Sequence, residues 1–386
     1  MSELLTFFQD RTEQLVATLE QLVRLESPSS SKAHVDQLGE FILDQCRKLG
    51  ASVQLFPQED VGDLRLAIWN GDAPGKPILL LCHIDTVWPV GTLETMPLRR
   101  DGDRLYGPGT LDMKCGVAIT LEVIRGLQER GEFPNRPIWL FLNSEEETGS
   151  THARSVIEDL AAQCGQVFVL EPAAEGEALK SWRKGNAFYV IRTLGLASHA
   201  GAAPEAGINA IIEASHQAIA LHSLNNLKDG TSVSVTTIHG GVASNVIPPE
   251  AVMEVDVRFL KPSEAQRVHE AITGLSPVLP GAQVIVEGGI DRGPMERNAQ
   301  MIRVVEQAKT LGNAIGLTIR EAGVGGVSDG NFTAAMGIPT LDGLGADGQG
   351  MHATHEHVII PTLARRAALL AQIFISWDVD AVQDNS

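Results

Sequence analysis

Residues 79–87, LLLCHIDTV, run from an unbroken apolar segment straight into His83 and Asp85. A short apolar run of this kind reads as a strand buried on both faces of a largely parallel sheet. An imidazole and a carboxylate at its end are costly to bury unless something pairs with them. Ligands of open α/β sheets bind just past the carboxyl ends of the strands. The stretch therefore predicts a cation at His83, with Asp85 holding the far ring nitrogen.

Outward from this strand, the pattern alternates. A helix is predicted over 31–50, ended by glycine, and strands over 51–56, 64–69 and 78–82. A helix over 115–130 and strands over 138–143 and 166–170 follow. Strands interleaved with helices predict an α/β layer structure. The rhythm then changes to strand 187–195, helix 209–223, strands 232–238 and 252–259, helix 263–273 and strand 283–287. That order, βαββαβ, is the ferredoxin-like signature. The predicted organisation is a first part over 1–178, an inserted domain over 179–290 and a second part over 291–386, with hinges near Leu179 and Ile290. The second part holds a helix over 299–311, the glycine-rich loop GVGGVSDGN, a helix over 361–377 and a frayed tail, VQDNS.

Composition narrows the classes of function. A chain of 386 residues exceeds one small core and predicts two domains. Hydrophobic content of 44% and charged content of 20% fit a soluble globular protein. No membrane span, basic arm or secretory leader is visible. A net charge of −18 repels phosphate backbones and argues against nucleic acid as a partner. Cys46, Cys82, Cys115 and Cys164 show no C-x-x-C spacing and are read as reduced thiols of a cytoplasmic protein.

Five places past strand ends collect metal-ligand side chains: His83 with Asp85; Asp112 in GPGTLDMKCG; Glu145, Glu146 and Glu147 in NSEEETGS; Glu171 in VLEP; and His352 in GMHATHEH. Imidazole with carboxylate suits zinc and its transition-series neighbours. Each place also has a plainer use. Asp112 could cap a helix, the three glutamates could form a solvated turn, and Glu171 could sit in an ordinary loop. His352 competes with His355 and His357 nearby. Coincidence of all five placements favours the cation reading.

HIDTV, GPGTLDMK, EEETGS, LEP, ASHAGAAPE, SNVIP, VDVRF and the late histidine, in this order and spacing, resemble the dinuclear zinc metallopeptidase family of glutamate carboxypeptidase (carboxypeptidase G), acetylornithine deacetylase, succinyl-diaminopimelate desuccinylase and aminoacylase. The resemblance spans nearly the whole chain and is strongest toward carboxypeptidase G, through SHAGAAPEAGINAIIEAS. It implies an α/β fold with a zinc-peptidase-like mixed sheet flanked by helices, and a ferredoxin-like βαββαβ insert serving as lid and dimerisation domain. Two Zn²⁺ are implied, with Co²⁺ or Mn²⁺ as alternatives. His83 and Glu171 would hold one ion, Glu147 and His352 the other, and Asp112 would bridge them through a family-typical cis peptide to Met113. The choice of His352 over His355 rests on its four-residue spacing to Glu356. Glu146 would be the general base, assisted by Asp85 at His83.

The resemblance also implies that His199 donates to the oxyanion, across the subunit boundary in dimeric members. Asn245, Arg258 and Arg292 are its candidates for substrate contact. A free carboxylate is best gripped by a guanidinium fork, which favours Arg292; Arg258, in a strand, could equally be a structural ion pair. The sequence departs from the family pattern at Cys115, a candidate oxidation-sensitive thiol, and at Glu145. The expected activity is a metallo-carboxypeptidase releasing a C-terminal amino acid, glutamate-like residues included, from an acyl or peptidyl group. The alternatives are an N-acyl amino acid deacylase of the acetylornithine or succinyl-diaminopimelate type, and a non-catalytic protein on a retired peptidase scaffold. Retention of every ligand and of Glu146 argues against the last.

Overall fold

Residues 78–83 form the strand Ile78–His83, buried at every position. In a computed structural model that describes residues 2–382, this strand lies inside a six-stranded sheet. The order is Ser52–Phe56, Leu64–Trp69, Ile138–Asn143, Ile78–His83, Gln166–Val169 and Thr340–Leu341. Ile138–Asn143 and Gln166–Val169 run parallel to it on either side, whereas Leu64–Trp69 is antiparallel to both its neighbours. The sheet is mixed.

Burial on both faces explains the lack of apolar–polar alternation. Leu79 and Leu81 pack with Leu66, Phe141, Val167 and Ile157 in one cluster. The helix Lys114–Glu129 runs between the strand beneath it and Ile360–Ser376, and all but three of its residues are buried. Gly116 is obligatory there, because a Cβ would stand 2.3 Å from the Leu170 carbonyl oxygen.

Contacts divide the chain into two units. The larger takes in the chain to Trp182, Arg297–Val324 and the chain from Ser328; the smaller takes Arg183–Glu296 and Gly325–Val327. The sequence pattern places these boundaries at 179 and 291. The strand Leu179–Arg183 explains the first offset: Leu179 N–H donates to Arg320 O at 2.9 Å and Lys180 N–H to Asp342 O at 2.9 Å, both in the larger unit. Its charged sequence, LKSWR, disguised a buried strand.

The smaller unit has an antiparallel sheet ordered Ser232–Gly240, Glu250–Phe259, Gly185–Leu194, Gln283–Arg292. In chain order that is second, third, first, fourth, the ferredoxin-like arrangement. Alternate residues of Gly185–Leu194 are buried, and Tyr189, Ile191, Met253, Val255 and Phe259 form a core with Ala214 and Leu221 of Ala210–His222 and Val268 and Ile272 of Pro262–Thr273. The last strand runs to Arg292 and does not stop at 287. The strand crosses Gly288 and Gly289: Gly288 adopts φ 105°, where a Cβ would press on the Phe188 carbonyl, and a bulge follows between Ile290 and Arg292. Of the tail, Val382 is buried, and residues 383–386 lie outside the described part.

Candidate metal centre

His83 is the last residue of its strand, and its ring is 2% exposed. Its Nε2 stands 3.1 Å from Asp112 Oδ1 and 3.6 Å from Glu171 Oε1. The other ring nitrogen, Nδ1, lies 3.0 Å from the backbone carbonyl of Asp85 and 3.4 Å from its carboxylate. The carbonyl is thus the nearer partner, and its hold on Nδ1 turns Nε2 toward the acids.

Asp85 has a second task. Its buried carboxylate accepts the backbone N–H groups of Glu146 at 3.1 Å and Glu147 at 3.2 Å and the hydroxyl of Ser29 at 2.7 Å. The turn Glu146–Thr148 is thereby pinned against the end of the His83 strand. Glu145 secures the far side, accepting His152 and Ala153 N–H at the start of Ala153–Ala161. Asn143, which ends its strand, accepts Glu145 N–H and donates to Ser150 Oγ and Asp329 Oδ2.

Asp112 precedes the helix Lys114–Glu129, and its peptide bond to Met113 is cis. Its two oxygens face different ways. Oδ1 meets His83, and Oδ2 lies 3.4 Å from His352 Nε2, which in turn is 3.1 Å from Glu147 Oε2. His352, and not His355, therefore joins the acids. It does so from a left-handed backbone, φ 59°, an arrangement that accumulates at functional sites. Its turn is carried there by a pairing not visible in the sequence, His357–Ile359 alongside Arg104–Tyr106.

Ligand-capable atoms of His83, Asp112 and Glu147 lie within 4.8 Å of one another, as do those of His83, Glu146 and Glu171. Glu146, one of the three glutamates grouped with the candidate ligands and the base that the resemblance implies, thus stands close to the cluster. The donor set fits divalent cations on electrostatic grounds. Burial works against a charged His83 ring, yet Asp112 and Asp85 raise its pKa well above the ordinary value. His352 is raised by its hydrogen bond to Asp112. Burial tends to raise the Asp112 carboxyl, but His352 and His83 hold it well below the usual carboxylate range. Burial pushes Glu147 up. Such a cluster holds together only when protons, or cations in their place, neutralise its acids.

Cys115 is fully buried, donates to Leu111 O, and burial pushes its thiol up to about 12. It has none of the thiolate character that oxidation sensitivity requires. All four cysteines are buried and free.

The remaining predicted residues belong to the smaller unit. His199 pairs across a short ladder with Val246, and Ala200 N–H donates to Asn245 O at 2.9 Å, so His199 and Asn245 share one site. His199 Nδ1 accepts Gly201 and Ala202 N–H at 3.1 and 3.0 Å. The ring proton must then sit on Nε2, the form that can donate outward. Arg258 engages the Asp256 carboxylate with Nε at 2.9 Å and Nη2 at 2.8 Å, the ion-pair alternative for this residue. Arg292 is buried at the end of its strand, beside Asn186, whose Oδ1 accepts its backbone N–H.

Two buried groups next to the centre escaped the sequence reading. Lys180 Nζ lies 3.7 Å from Glu171 Oε2. Glu356, used only as a spacing marker, is 0% exposed and hydrogen-bonded to the Asp112 loop. Neither carries a local sequence signal, and the loop that donates to Glu356 lies more than 240 residues away in the chain.

Residues 79–376, which take in His83, Asp85, Asp112, Glu146, Glu147, Glu171 and His352, match the model of peptidase family M20/M25/M40. The chain is 31% identical to Carboxypeptidase G2 of Pseudomonas sp. (strain RS-16), over 95% of this chain and 91% of that protein. It is 30% identical to the succinyl-diaminopimelate desuccinylase of Paracidovorax citrulli, over 82% of this chain and 84% of that protein. Its fold is similar to that of aminopeptidase PepT from Bacillus cereus, with a TM-score of 0.77 at 24% identity, covering 94% of this chain and 98% of that one.

Proposed function

The chain belongs to peptidase family M20/M25/M40 and is a hydrolase of amide bonds; on that premise we propose that it is a dinuclear metallo-carboxypeptidase, cleaving the amide that joins a C-terminal amino acid to an acyl or peptidyl group. One observation carries the dinuclear reading: the two oxygens of Asp112 face separate partners, His83 with Glu171 on one side and His352 with Glu147 on the other. A shared carboxylate between two such pairs is the donor pattern of a bridged cation pair. Zinc is the first choice for it, with cobalt or manganese as alternatives.

Two cations bound there would acidify a water and polarise the scissile carbonyl. Glu146 stands beside His83 and Glu171. It would take the water's proton and pass it to the leaving nitrogen, general acid–base work contributing about 10²–10⁴ in rate. Asp85 would hold both the His83 ring and the Glu146 backbone in register. His199, protonated on Nε2 by the geometry of its Nδ1, would donate to the developing oxyanion, with Asn245 beside it. Arg292 is the candidate fork for the product's carboxylate, since a guanidinium grips a carboxylate through two parallel hydrogen bonds.

A homodimer through the smaller unit fits the same reading. Ile211, Ile212 and Ile219 of Ala210–His222 are exposed, together with Ile238 on the edge strand Ser232–Gly240, and edges of this kind invite pairing. The similarity to succinyl-diaminopimelate desuccinylases at 30% identity supports a second reading, deacylation of a small N-acyl amino acid. Metal analysis, with a screen of N-acyl amino acids and peptides each paired with its C-terminal carboxamide, separates the two. A carboxypeptidase should reject the carboxamides; equal turnover of acid and carboxamide removes the fork and the carboxypeptidase assignment.

A further inference from the structure

We propose that Glu356 is a positioning residue that locks the Asp112 loop to the His352 turn and so sets the second of the two cation positions, an inference that rests on the dinuclear reading. Glu356 is wholly buried, and four donors converge on it. Its Oε1 accepts Leu111 N–H at 2.9 Å and Asp112 N–H at 3.0 Å; its Oε2 accepts Gly109 N–H at 2.9 Å and Trp88 Nε1–H at 2.8 Å. Three backbone donors from one loop, Gly109, Leu111 and Asp112, on one carboxylate fix the direction in which Asp112 leaves the chain. A buried carboxylate is tolerated only when saturated in this way.

The other end of the strut is the His352 turn. Glu356 N–H donates to Ala353 O at 2.9 Å and Ala353 N–H to Gly350 O at 2.8 Å, so the turn closes on Glu356 itself. Gly107 N–H donates to Glu356 O at 3.2 Å, a second tie between the same segments. His352 needs such an anchor. Its side chain is 53% exposed, against 2% for His83, so little packing holds it, and its backbone sits at φ 59°. The position of His352 relative to Asp112 therefore depends on the turn, which the pairing with Arg104–Tyr106 carries and the Glu356 carboxylate ties to the Asp112 loop. The His83–Glu171 side depends on the strut only through the shared Asp112, because His83 ends its own strand and Glu171 lies two residues past the neighbouring strand Gln166–Val169.

The consequence is asymmetric. Loss of the strut should weaken the position bounded by Asp112, Glu147 and His352 by at least about 10-fold, the usual scale for an outer partner of a ligand, and weaken the His83–Glu171 position by less than that. Glu356→Gln keeps the shape but lacks the second acceptor oxygen, so two of the four donors face an amide nitrogen. The experiment titrates the metal-free full chain with Zn²⁺ against a chelator, counts ions by native mass spectrometry, and follows Co²⁺ substitution by its visible spectrum, with circular dichroism confirming the fold. The wild type should bind two ions and the variant should retain one tightly, with the second weakened. Two ions bound at wild-type affinity, or both weakened alike in a folded variant, overturns the inference. Should Glu356→Gln not fold, Glu356→Asp, which keeps the charge but withdraws it by one methylene, is judged by the same outcomes. A wild type that binds a single ion sinks the dinuclear reading and this inference with it.

Discussion

Replacing Asp85 with asparagine isolates the part of the site that holds the Glu146–Thr148 turn. Asp85 Oδ1 accepts Glu146 N–H, and Oδ2 accepts Glu147 N–H together with the Ser29 hydroxyl. Asparagine offers one oxygen. Whichever way its amide turns, one backbone N–H meets an NH₂ group, although the Ser29 hydroxyl can rotate to accept. Hydrogen bonds to a charged acceptor contribute about 1.5–3 kcal/mol each, and a stranded buried donor costs about 1–3 kcal/mol. The metal-free protein should therefore lose about 2–4 kcal/mol of stability. The His83 ring fares better, because its Nδ1 keeps the Asp85 backbone carbonyl at 3.0 Å and loses only the carboxylate at 3.4 Å. Metal affinity should fall by about 10-fold, the lower end of the range for outer-partner changes. Denaturant unfolding of the metal-free protein measures the first quantity and chelator competition the second. Unchanged unfolding alongside a drop in affinity beyond about 100-fold would refute the reasoning, since Asp85 would then act chiefly on the ring.

Glu146→Gln should keep both cations and lose at least about 100-fold in kcat; near-normal turnover in a metal-loaded variant removes Glu146 as the base. His199→Ala should lower kcat with metal content unchanged, and loss of metal would show that its place in the smaller unit was misjudged. Glu321 accepts Arg297 at 3.0 Å from two nitrogens and Lys309 at 3.1 Å, and Arg297 leads in holding its carboxyl down to about 2 from the usual 4.5. A depressed carboxyl stabilises the fold above 4.5 and ceases to do so as pH falls through about 2. Glu321→Gln should thus cost about 1 kcal/mol at neutral pH, discounted for solvent screening, and the gap to the parent should close on acidification; a gap constant with pH would mean that the pair contributes nothing.

Where a residue's task could be read from the chain, the signal was local. The apolar run before His83 needed burial on both faces, and Leu79 and Leu81 supply it on one side of a sheet whose other side Lys114–Glu129 covers. Period-two alternation in Gly185–Leu194 likewise reports a sheet with one covered face. What escaped was non-local or locally contradictory. Leu179–Arg183 is polar in sequence yet buried, because Arg320 and Asp342 receive its backbone. Gly288 and Gly289 signal a break, but the strand bulges through them and delivers Arg292 at its end. The same holds for the support of the metal centre. His83, Asp112, Glu147, Glu171 and His352 stand out because ligand types at strand ends are unusual, whereas Glu356 and Asp329 resemble any acidic loop residue until Gly109, Leu111 and Asp112, or Asn143 and Ser150, are seen to donate to them. Candidate ligands are thus legible in residue type and spacing, while their placement depends on buried acceptors whose donors lie up to 268 residues away, and only the folded chain brings these together.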